Sequence, residues 1–231
     1  MLLAAGCLLV VTATGAAERR VAAGAGTLQQ AIAAAAAGDT LRLGRGRFAG
    51  NFVVDRPLAL VGEPGTLLDG EGRGRVVTLA APGTRLAGVT LVGSGSCLAC
   101  EDGAVYLTAA ATGALVEGNT LDGNLIGINL KGTRDALVRG NRITGRADLP
   151  MSERGNGVQL WDAPGSVVVG NEIRHGRDGI FVTTSRANRF VGNRMQQLRF
   201  AVHYMYTNDS EIRDNVSLGN HLGYALMFSH R

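Results

Sequence analysis

His203 and Met205 stand two residues apart in FAVHYMYTND (200 to 209), and Met227 follows Met205 by 22 residues. Imidazole and thioether ligands together suit a soft metal, Cu(I) above all. His221 and His230 are outer candidates for the same ligand set. A second group with metal or redox chemistry is the CxxC pair Cys97 and Cys100 in GSGSCLACED (93 to 102). Two thiols are too few for a closed tetrahedral zinc site. In an oxidising compartment the pair reads first as a local disulfide, then as a Cu(I) thiolate pair, and last as two inert cysteines.

Carboxylates are placed less purposefully. Glycoside hydrolysis usually needs two of them roughly 5 to 9 Å apart. In a repeat of 22 residues, adjacent coils would supply such a pair if acids recurred at that step. They do not: Asp178 falls opposite Phe200, Asp162 opposite Thr184 and Asp209 opposite Ala187. Only Asp102, Asp148 and Asp178, brought together through irregular loops, keep a carbohydrate-active enzyme (lyase, hydrolase or epimerase) open as the alternative.

These residues must be held by repeated short strands. ALVEGNTL, ALVRGNRI, VVVGNEI, RFVGNRM and EIRDNVS align on Asn119, Asn141, Asn171, Asn193 and Asn215, with steps of 22, 30, 22 and 22 residues. A second ladder, Gly127, Gly157, Gly179, Ala201 and Gly223, has the same extra eight residues in the same repeat. A period near 20 marks a solenoid, and paired apolar runs broken by Gly, Asn and Asp mark coils of a parallel β-helix. The asparagines are expected to stack coil on coil, as amide ladders do in cross-β structures. TLQQAIAAAAAGDT (27 to 40) departs from this pattern. With Leu28 and Ile32 on one side, it predicts a short amphipathic helix capping the first coil.

The register then assigns faces. After each ladder glycine, or Ala201, the next residue points inward and the one after it outward. The first outward column is Gln159, Phe181, His203 and Ala225; the second is Trp161, Thr183, Met205 and Met227. Coils about 4.8 Å apart make Met205 and Met227 neighbours. An outer face carrying Trp161, Phe181, His203, Met205 and Met227 has three readings: a surface covered by a partner or further chain, a Cu(I) site, or a sugar-binding face. Arg177, Arg199 and His221 form a like-charged column that suits an acidic partner or plain solvation. Glu172 with Arg194, and Arg189 with Glu211, are expected to tie coils together. The loops 93 to 102 and 145 to 154 leave one corner of the coil, one coil apart, and are expected to form a joint flap.

Composition sets the frame. Of 231 residues 45% are hydrophobic and only 5% aromatic, with 34 glycines and 5 prolines, so the core must be built from small and β-branched side chains. The net charge of +4 comes from scattered arginines, Lys131 being the one lysine. This is no nucleic-acid stripe. Residues 1 to 17, MLLAAGCLLVVTATGAA, read as a secretory leader lacking its basic start, which would place 18 to 231, one β-helical domain, in an oxidising compartment. The sequence stops at ALMFSHR within a repeat, so the domain is expected to be truncated there.

RGNGVQLWDAPGSVVVGNEIRHGRDGIFV, followed by RFAVHYMYTND and GYALMFS, resembles the NosD family of periplasmic copper-binding proteins, over about residues 26 to 231. The resemblance implies a right-handed parallel β-helix that is exported and is not itself membrane-spanning. It further implies an accessory role in assembling the copper centres of nitrous oxide reductase, with copper or sulfur as cargo and no catalytic residues. Its implied partners are the ATPase and membrane permease of an ABC transporter, a copper chaperone and the reductase. Cys97 and Cys100 fall outside the family pattern.

Overall fold

The computed structural model describes residues 15 to 230. The leader expected at 1 to 17 falls almost wholly outside them. The chain winds into three parallel sheets, each coil giving one short strand to each. The first sheet has nine strands, from Glu18–Val21 to Glu211–Arg213; the second has eight, from Phe52–Val54 to Leu222–Met227. The third also has eight, from Gly46–Ala49 to Val216–Leu218. Every pairing is between successive coils and parallel, as the repeat predicts.

Alternation explains the core. In Val158–Trp161, Val158 and Leu160 are buried while Gln159 and Trp161 face out, and Ile180 and Val182 repeat this one coil later. A continuous column of Leu, Val and Ile thus fills the inside of the coil, with Phe48 and Phe190 its largest members. The glycine ladder has a steric cause. A Cβ at Gly157 would lie 2.3 Å from the Ile173 side chain, and one at Gly179 would lie 2.6 Å from the Ala201 carbonyl.

Asparagines hold one corner. Asn119, Asn141, Asn171 and Asn193 are at most 1% exposed. Each donates its side-chain NH2 group to the Oδ1 of the next, at 3.1, 3.0, 3.0 and 2.9 Å along the series to Asn215. The same Oδ1 atoms also accept the backbone N–H groups of the preceding asparagines. The eight-residue insertion leaves this ladder unbroken, because the extra chain leaves as a surface loop.

The helix spans Thr27–Ala34 and buries Leu28 and Ile32. It packs against the strands Glu18–Val21, Thr40–Leu43 and Phe52–Val54, at the N-terminal end of the stack. It stops short of Gly38-Asp39, because Ala35 already turns to extended backbone. Asp39 serves a different purpose: its carboxylate accepts the N–H groups of Ala17 and Ala36. Those bonds, with the nearby Arg19 charge, hold its carboxyl below the ordinary range.

Candidate functional site

The outer face of the second sheet has the columns expected of it. Tyr106, Asn129, Gln159, Phe181, His203 and Ala225 are successive partners, as are Lys131, Trp161, Thr183, Met205 and Met227. His203, however, is not a solvent-facing side chain. It is 9% exposed, lying edge-on to Phe181 at 5.0 Å and to Phe200 at 5.1 Å.

Its Nδ1 lies 2.9 Å from Asp178 Oδ2. Asp178 is fully buried and is held by Arg199 through Nε at 2.8 Å and Nη2 at 2.6 Å. A bidentate guanidinium is the strong form of this pair, and it neutralises a carboxylate that could not otherwise sit away from water. An ionised carboxylate only accepts, so in the neutral ring Nδ1 carries the hydrogen and Nε2 the lone pair. Nε2 is buried with no hydrogen-bond partner. A carboxylate-oriented imidazole with its far nitrogen open is the arrangement that presents a ligand or base atom.

These side chains line a groove of about 350 Å³. Phe181 and Met205 contribute apolar surface, Asn156 and Gln159 amides, and Arg154, Arg177 and Arg199 cationic groups. The two irregular loops contribute Leu98 and Arg154. They touch where Arg146 Nη1 comes within 3.4 Å of the Ser96 hydroxyl, so the flap exists. They leave two coils apart, with the strand Thr120–Asp122 lying between their parent strands Thr90–Val92 and Arg142–Thr144.

A second polar cluster lies on the same face. Glu101, in the left-handed backbone region at φ 57°, accepts from Lys131 Nζ at 2.6 Å and Tyr106 OH at 3.2 Å. Burial pushes its carboxyl up, but the Lys131 and Tyr106 bonds and the Arg75 charge outweigh that and hold it below the ordinary range. Arg75 stacks over Tyr106 at 3.4 Å, and Lys131 lies 4.5 Å from the Trp161 ring centre. Asn129, between Tyr106 and Gln159 in the column, is 1% exposed, and neither of its amide atoms has a partner.

Cys97 and Cys100 are joined as the local disulfide expected first, so the pair as it stands offers no thiolate to copper, and other expectations change. His203, Met205 and Met227 share one face, whereas His221 and His230 are exposed elsewhere; His230 borders a separate groove with Tyr204 and Leu226. The like-charged column is relieved from within the chain, since Arg199 binds Asp178. Arg189 pairs with Glu211 at 2.9 Å as expected, but Glu172 binds Arg142, 3.2 Å away, instead of Arg194. Arg142 and Arg194 flank Glu172 in the sheet, and the side chain took the other neighbour. The three loop acids do not meet: Asp102 accepts from the Cys97 N–H, Asp148 binds Arg146 and Asp178 binds Arg199. Arg146 holds the Asp148 carboxyl at about 2.

The Asp178–Arg199–His203 triad went unread because its contacts run diagonally. The direct partner of Asp178 is Phe200, while its bonds go 21 and 25 residues onward. An Asp at the foot of one strand, with Arg and His flanking the foot of the next, was the signal.

Comparison with known proteins bears out the resemblance. Residues 141 to 231 match the family model described as periplasmic copper-binding protein (NosD). That is shorter than the 26 to 231 expected, since the upstream coils carry only generic repeat features. The chain is 43% identical over 137 residues, or 59% of its length, to the "Probable ABC transporter binding protein NosD" of Pseudomonas aeruginosa strain PAO1. It is 38% identical over 138 residues, 60% of its length, to the protein of the same name from Stutzerimonas stutzeri. In both cases it spans about a third (32%) of the relative. Among solved structures, it is similar to the periplasmic alginate epimerase AlgG, with a TM-score of 0.59 and 12% identity, covering 90% of this chain and 55% of that one. An alginate lyase from Paenibacillus sp. str. FPU-7 also gives 0.59 and 12%, over 88% and 99%. At such identities these show the fold alone.

Proposed function

We propose that this chain is a β-helical part of a periplasmic accessory protein that handles copper or sulfur for the copper centres of nitrous oxide reductase. It would work with an ABC transporter, a copper chaperone and the reductase, as a binding and delivery module and not as a catalyst. The observation that carries this reading is the 43% identity to a protein named as an ABC transporter binding protein, together with the family match over 141 to 231.

Copper is cargo in this reading, and the donor set fits a soft ion. His203 Nε2 is an unpartnered, carboxylate-oriented imidazole nitrogen, Met205 lines the groove beside it, and Met227 is the next residue in the Met205 column. Thioethers and imidazole bind Cu(I) and take up Mg²⁺ or Ca²⁺ poorly. Cys97 and Cys100 would join only after reduction, and His221 and His230 would serve as outer stations. The test is a Cu(I) titration of the exported protein against a competing chelator. Met205→Ala with Met227→Ala should weaken Cu(I) binding by about tenfold or more, the worth of one good ligand contact; an unchanged affinity would remove the site.

A further inference from the structure

The groove beside His203 has a charge balance that a cation-handling role does not explain. Four charged side chains line it: Arg154, Arg177, Arg199 and Asp178. Arg199 and Asp178 neutralise each other. Arg154 is fixed by the Leu149 and Ala147 carbonyls, at 2.8 and 2.9 Å, which hold its position without cancelling its charge. Arg177 is half-buried and, among the described residues, its side chain makes no hydrogen bond or ion pair. Two uncompensated guanidiniums therefore border a partly enclosed space, where a water-poor setting strengthens their pull on an anion.

The remaining lining specifies more than charge. Phe181 and Met205 supply an apolar wall. Gln159, which lines the groove, takes an amide N–H of Asn156 on its Oε1 at 2.9 Å, which leaves its own NH2 as a donor. His203 Nε2, a buried acceptor in the neutral ring, lacks a donor. A ligand that completed this set would carry a carboxylate for the arginines, a hydroxyl to donate to Nε2, and a flat apolar side for Phe181 and Met205.

We propose that the groove is a binding site for a small hydroxycarboxylate with an apolar face. The volume of about 350 Å³ suits a molecule of one ring. Phe181, half-buried and edge-on to the imidazole, is the side chain that must shift for the hydroxyl to reach Nε2. The site shares His203 and Met205 with the copper reading but does not rest on it, and testing it on metal-free protein keeps the two outcomes distinguishable.

Three ring compounds separate the contributions: mandelate carries charge and hydroxyl, mandelamide lacks the charge, and phenylacetate lacks the hydroxyl. Binding is followed on metal-free protein by calorimetry and by the 15N shift of the His203 ring. Mandelate should bind at least about tenfold more tightly than mandelamide, as charge-assisted bonds require, and a few-fold more tightly than phenylacetate. Arg177→Gln should reduce the first difference, with Arg154 holding the remainder, and His203→Phe should erase the second, with both variants keeping the wild-type circular dichroism. Because Arg177 has no partner to lose, R177Q is not expected to affect folding. Absence of saturable mandelate binding, equal binding of mandelate and mandelamide, or an R177Q affinity equal to wild type would each overturn the proposal.

Discussion

Two rows of polar side chains run along this solenoid, one inside a corner and one outside the second sheet. Inside, each asparagine from Asn119 to Asn193 donates its NH2 to a backbone carbonyl and to the next asparagine, while its Oδ1 accepts from the preceding coil. Outside, Asn129 and His203 are nearly as buried, yet both Asn129 amide atoms and His203 Nε2 have no partner. A buried polar group left unmade costs about 1 to 3 kcal/mol, so the inner row stabilises the fold and the outer row costs it. Unmade bonds at Asn129 and His203 are the reason the outer face of the second sheet is the candidate site.

The sharpest way to break that contrast is to give both rows the same substitution. Asn171→Val strips two amide donors and a shared acceptor from the middle of the ladder, orphaning groups on both neighbouring coils. We expect a loss of about 3 to 5 kcal/mol in urea denaturation, the sum of two or three unsatisfied groups. Asn129→Val, at a β position with no hydrogen bonds to lose, should fall within about 1 kcal/mol of wild type or stabilise it. If the two changes cost the same, the distinction between the rows is wrong.

An intermediate effect is expected at Asp178. Asp178→Asn keeps the shape but removes the charge that neutralises Arg199 and orients His203. Removing one partner of a buried pair costs about 3 to 5 kcal/mol. Here Arg199 is 27% exposed and can turn to water, so about 2 to 3 kcal/mol is expected. The His203 ring 15N shifts should report loss of the fixed tautomer. A variant with unchanged shifts would show that the carboxylate does not set the ring.

How much of this could be read beforehand follows from the physics of each part. Coil period, asparagine ladder and outward columns were legible because each is a direct stacking of one coil on the next, so sequence spacing equals spatial adjacency. The Leu28 and Ile32 stripe likewise gave the helix, though its end at Ala34 depended on the extended backbone of Ala35. The triad was not legible, because Asp178 reaches diagonally past Phe200. Nor could periodicity show that His203, although outward in register, is roofed by Phe181 and Phe200. Side-chain choices between two equivalent neighbours, as when Glu172 binds Arg142 in preference to Arg194, escape any register argument.

The smallest effect concerns the Glu101 cluster, where the outer face is satisfied instead of orphaned. Its carboxyl is held below the ordinary value of 4.5 despite burial, chiefly by Lys131 and then Tyr106 and Arg75. A group with a depressed folded pKa contributes stability above its unfolded value and loses it as pH falls through the folded one. The stability difference between wild type and Glu101→Gln should therefore be flat, at about 1 kcal/mol, above pH 5, and shrink as the pH drops below 4.5. Measuring urea midpoints for both proteins across that range checks it. A difference that grew on acidification would mean that Glu101 is strained against Tyr106, making this end of the face, like the His203 end, one the fold maintains at a cost.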